Sequence, residues 1–100
     1  MLHTVNKSPF EKCSLESCLY HASPGDSVLL IEDAVYAALA GTIVSRRVSE
    51  ALATLEVHAL GPDLAARGID VRRLLPGVGT VDYRGFVRLA CRHRSVQAWL

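Results

Sequence analysis

This sequence predicts an α/β fold: a single three-layer domain with a mainly parallel sheet between helices. Short apolar runs alternate with segments of helical periodicity along the chain. The run Val28-Leu29-Leu30-Ile31 is continuously apolar, as a strand covered on both faces requires. The connections are short, with no repeat, linker or low-complexity stretch, so the 100 residues are assigned to one domain.

Leu2–Val5 reads as the first strand. Ser8-Pro9-Phe10-Glu11 has capping-box spacing with Pro at the first position, which can open a helical turn. In Ser14–Ala22, Leu15, Cys18, Leu19 and Ala22 recur at i, i+3, i+4 and i+7, one face of a helix that Ser23-Pro24-Gly25 stops. Ser27–Ile31 is the buried strand. Asp33 can cap an Ala-rich helix over Ala34–Ala40, closed by Gly41. Arg46–Thr54 is helical by the spacing of Val48, Leu52 and Leu55, and Leu55–Leu60 is the next strand. Gly61-Pro62-Asp63 opens a short helix through Arg67, ended by Gly68. Ile69–Pro76 is irregular with room for one helical turn. Gly79–Asp82 is a short strand, Tyr83–His93 a helix and Val96–Leu100 an extended tail.

Half of the residues are hydrophobic, which supplies a core, yet so short a chain hides a limited share of its surface and gains from partners. A net charge of +1 gives no global field for direct nucleic-acid binding. No apolar run approaches the roughly 20 residues of a membrane span, and no secretory signal pattern opens the chain. Three cysteines, without C-x-x-C spacing, suit neither a disulfide framework nor a zinc site and read as reduced cytoplasmic thiols. The four histidines lack metal-ligand spacing, and there is no G-x-G-x-x-G or P-loop, so neither a metal nor another cofactor is expected. His3 and His58, within strands, read as hydrogen-bonded core residues.

Few side chains lack a structural task. Glu32 ends a buried strand, where ligands and subunit contacts gather in open α/β sheets. Arg84, Arg88 and Arg92 recur every four residues as a basic ridge that needs solvent or acidic partners. A terminus that carries Trp99 must anchor it in the domain or against a partner. Cys18, on an apolar helical stripe, is either packed core or a sulfur-handling thiol.

Taken in order, Leu2-His3-Thr4-Val5-Asn6-Lys7-Ser8-Pro9-Phe10, Glu32-Asp33-Ala34-Val35-Tyr36, Asp63-Leu64-Ala65-Ala66-Arg67-Gly68, Asp82-Tyr83 with Phe86-Val87, and Ala98-Trp99-Leu100 resemble the DsrH/TusB family of sulfur-relay subunits over the whole chain. The resemblance implies a DsrE/DsrF/DsrH-like fold and a heterohexamer with homologous DsrE-like and DsrF-like subunits. That complex passes sulfane sulfur, as a cysteine persulfide, to a DsrC/TusE-type carrier protein. The principal persulfide cysteine of the family belongs to the DsrE/TusD subunit, which leaves Cys18 here as a possible persulfide or accessory thiol. Glu32, Tyr36, Arg88, Trp99 and Leu100 are the interface candidates. Ser14-Leu15-Glu16-Ser17-Cys18-Leu19 and Val35-Tyr36-Ala37-Ala38-Leu39-Ala40-Gly41-Thr42 bring the chain nearer to DsrH, and so to oxidation of intracellular sulfur. The alternatives are a TusB-like subunit serving tRNA 2-thiouridine synthesis, or a purely structural subunit of either complex.

Overall fold

In the computed structural model, which describes residues 1–100, the two central strands β1 (Leu2–Val5) and β2 (Ser27–Leu30) are buried at every position. Flanking them are β3 (Glu56–Leu60), β4 (Gly79–Val81) and β5 (Val96–Trp99). All neighbours pair in parallel, in the order β4-β3-β2-β1-β5.

That order fixes which helix covers which face. From β1 to β4 the chain steps one strand at a time in one direction, and right-handed crossovers then place every connection on the same side. These are α1 (Ser14–His21), a 3-10 helix (Glu32–Ala38), α2 (Ser45–Ala51) and α3 (Gly61–Ala66). They bury Leu15, Cys18, Ala34, Val35, Val48 and Leu64 against Val5, Val28, Leu30 and Val57. The last crossover reverses direction, from one edge of the sheet to the other, so α4 (Tyr83–Arg92) lies on the opposite face. There Leu89 packs on Leu2 and Leu29, with Phe86 and Ala90 beside it. One face therefore has several helical segments, the other a single helix.

The elements differ from the sequence expectations in a few places. Ser8–Glu11 is a turn, with the Ser8 hydroxyl accepting from the Phe10 N–H. The Ala-rich segment begins two residues early, at Glu32, and is a 3-10 helix. Asp33 does not cap it: the cap residue is Ile31, and Asp33 instead accepts from Arg67 at 2.8 and 3.0 Å. The alanine face is not spare surface, since Ala34, Val35, Ala37 and Ala38 are all fully buried. The extended tail is a full sheet strand, registered Leu2 to Val96 and Val5 to Trp99.

Candidate functional site

Cys18 sits where its periodicity puts it, on the inner stripe of α1 between Leu15 and Leu19, with no exposed surface. Burial, with a smaller contribution from the nearby negative charge of Asp26, pushes its thiol up to about 12. A thiol held so far above neutral pH is protonated, and only the thiolate attacks or accepts sulfur readily. The other two cysteines, Cys13 and Cys91, are exposed. Cys13 lies just before α1 and lines a small cleft with Lys12, Glu16 and Arg47.

The carboxyl edge of the sheet carries Glu32 and Tyr36. Glu32 is exposed and holds a left-handed φ of 50°, which a non-glycine residue adopts at a cost. Its backbone N–H donates to Asp63 at 2.6 Å, which ties the end of β2 to α3, while its carboxylate has no partner. Tyr36 is half-buried and packs against the main core. Leu100 is exposed, and its carbonyl accepts from Ser14 at 3.1 Å.

The amino edge holds two polar networks that sequence reading did not assemble. In the first, Asp26 accepts from the Met1 amine at 3.0 Å, His3 Nε2 at 2.9 Å and the Ser23 N–H at 2.9 Å. Burial opposes ionisation of Asp26, but these three donors outweigh it and hold its carboxyl well below the usual range. His3 passes the network inward: its Nδ1 accepts from the Trp99 indole at 3.0 Å. Trp99 also lies beside His21, with ring centres 5.6 Å apart. It is thus anchored within the domain.

In the second network, fully buried Ser27 donates to Glu56 at 2.8 Å and accepts from Arg92 at 3.1 Å and His93 at 2.9 Å. Arg92 also pairs directly with Glu56. The bond from Ser27, and then Arg92, lower the Glu56 carboxyl despite partial burial. Arg92 is therefore no part of a free basic ridge; it pins the end of α4 to β3. A serine at the head of an apolar run was the only sequence signal for this contact.

His58 departs from expectation. Neither ring nitrogen has a hydrogen-bond partner, and its nearest acid, Glu56, is 4.0 Å away and already engaged. The ring fits because its strand neighbour is Gly79, where a Cβ would stand 2.8 Å from Nδ1. Burial lowers its pKa, and burial likewise lowers that of His93, aided by nearby positive charge.

No helix is long and apolar enough to cross a membrane. The fold defines a small parallel α/β domain of a recognised architecture. It superposes on the ychN protein from E. coli with a TM-score of 0.80 at 20% identity, covering 97% of each chain. It also superposes on MTH1491, a protein of unknown function from Methanobacterium thermoautotrophicum, with a TM-score of 0.78 at 21% identity, covering 97% and 95%. Residues 7–96 match the family described as DsrH like protein. The chain is 40% identical over 101 residues to Protein TusB of Escherichia coli O81 (strain ED1a), covering 99% of this chain and all of that one. To Protein TusB of Erwinia tasmaniensis it is 37% identical over 99 residues, with the same coverage. This chain belongs to the DsrH/TusB family and is a sulfur-relay subunit.

Two predictions follow from the geometry of these thiols and imidazoles. In the native protein a thiol reagent should modify Cys13 and Cys91 quickly and Cys18 only on unfolding, read by mass spectrometry of peptides. Cys18→Ser should cost about 1–3 kcal/mol in urea unfolding, because its hydroxyl enters an apolar stripe. Native labelling of Cys18 would contradict the packing described. The second concerns pH. His58 and His93 resist protonation when folded, so stability is level from the ordinary thiol value of 9.0 down to the ordinary histidine value of 6.5 and falls as pH drops below it, and it falls again above 9.0, where an unfolded Cys18 gives up its proton and the buried one does not. Below the ordinary values of 3.8 and 4.5, protonation of Asp26 and Glu56 removes more. His58→Leu should flatten the upper part of the urea-midpoint curve; an unchanged slope would contradict this origin.

Proposed function

We propose that this chain acts in a cytoplasmic sulfur-relay complex mainly as a structural and docking subunit, with two homologous subunits, one of which carries the reactive cysteine. The complex passes sulfane sulfur to a small carrier protein. The observation that carries the division of labour is the state of Cys18: unexposed, and with a thiol pushed up to about 12, it packs the core rather than carrying a persulfide. The full-length likeness to TusB proteins favours the branch that serves tRNA 2-thiouridine synthesis. Oxidation of intracellular sulfur is the second reading, favoured by the DsrH description of the family match and by the segments around Cys18 and Tyr36.

The test is intact mass of each subunit after the reconstituted complex meets a persulfide donor. One added sulfur should appear on a partner subunit and pass to the carrier, with this chain unchanged. Cys18→Ser should then transfer sulfur at the parental rate per folded complex. An added sulfur on this chain that disappears in Cys18→Ser would overturn the structural role.

A further inference from the structure

His58 is the one imidazole of the chain that the fold leaves without a hydrogen bond. His3, His21 and His93 each have a partner, whereas both nitrogens of His58 are shielded from solvent and have none. Its register partner Leu29 packs beneath Leu89, so His58 lies on the α4 side of the sheet, between Leu29 and Gly79. A neutral imidazole is tolerated there; a charged one needs an acceptor.

The nearest acceptor is Glu56, two residues back on the same side of β3, with its Oε2 4.0 Å from His58 Nε2. That oxygen is already shared. It accepts from the Ser27 hydroxyl at 2.8 Å and from Arg92. Through these bonds it holds the last turn of α4, where His93 also bonds Ser27 at 2.9 Å. Three groups able to donate therefore face one oxygen, and its two lone pairs are taken.

The charges around His58 decide that competition. Glu56 faces it from its own strand and Arg92 from α4. Arg88, one turn back, turns to a hollow with Gly61, Val81 and Asp82 at the carboxyl end of the strands. β2 and β4 bring Ser27, Leu29 and Gly79, none of them charged. The side chain of Arg92 is 55% exposed and that of His58 only 22%. Arg92 released from Glu56 passes its charge to water at little cost. A protonated His58 without an acceptor is a poorly solvated charge, which costs far more. Half-exposed Glu56 needs only a side-chain rotation to close the gap.

We propose that Glu56 is a two-position clamp: with His58 neutral it holds the end of α4 through Arg92 and Ser27, and with His58 protonated it swings to the imidazolium and releases Arg92. Burial keeps His58 neutral until the pH is below its ordinary value of 6.5, so the clamp is shut at neutral pH. Acid then loosens the last turn of α4, from Leu89 onward, over Leu2 and Leu29, ahead of the rest of the domain.

The test follows the full chain by NMR from about pH 7.5 to about pH 5. Amide protection over Leu89–His93, corrected for intrinsic exchange, should fall at least about tenfold, while that of Thr4 and Val5 in β1 changes less than about twofold. His58→Leu should keep the α4 protection at the acid end, and His93→Gln should still lose it. If His58→Leu does not fold, the parent supplies the check: the Glu56 carboxyl carbon and the Arg92 Nε–H should both shift at the midpoint of the His58 ring signals. Unchanged protection of α4, an equal loss in β1, a fall that survives His58→Leu or vanishes in His93→Gln, or an Arg92 signal that stays still through the His58 midpoint would each overturn the clamp.

Discussion

The hydrogen bond from Trp99 to His3 holds together parts of the chain 96 residues apart in sequence. β5 is a four-residue strand with one neighbour, and three of its residues are exposed. Main-chain pairing alone leaves such an edge prone to fray. The indole closes it from the side. His3 can accept at Nδ1 because its Nε2 proton is given to Asp26, and Asp26 stays ionised because its several donors outweigh its burial. The Ser14 bond to the Leu100 carbonyl secures the last residue in the same way.

Closure of that edge places α4. The helix must span from β4 at one side of the sheet to β5 at the other, and it is held at its far end by Arg92 and His93 on Ser27 and Glu56. With both ends fixed, α4 cannot slide to cover the whole face. The exposure of Val96 and Ala98 on β5 is a consequence of that span. The opposite face has no such vacancy: it is filled by α1, the 3-10 helix, α2 and α3, and Cys18 lies beneath them. Burial of the thiol and exposure of Val96 and Ala98 thus arise from one topology.

Much of this was legible in the residues. The apolar run Val28–Ile31 marked β2, and the spacing of Leu15, Cys18 and Leu19 marked α1 and put Cys18 on its apolar stripe, while packed core and sulfur handling both stayed open for the thiol. What was lost depends on contacts distant in sequence. Apolar spacing over Ala34–Ala40 does not separate an α-helix from a 3-10 helix, and Asp33 looked like a cap because its partner, Arg67, is 34 residues away. Arg92 resembled Arg84 and Arg88 by spacing, yet Glu56 draws it to the sheet. His58 gave no sign that Glu56 would be taken by Ser27 and Arg92, leaving its imidazole without a partner. For β5, the extended conformation could be read but not the strand it joins. The family resemblance compensated for part of this, because it rests on the order of motifs rather than on their contacts.

The account rests on the closure of β5 by Trp99, and exchange of the indole N–H with solvent deuterium, followed by NMR, tests it most directly. If the bond to His3 holds the sheet shut, this proton exchanges as slowly as the core amides of β1, and His3→Ala releases it. An indole proton that exchanges at the rate of an exposed tryptophan, while the β1 amides stay protected, would contradict the account.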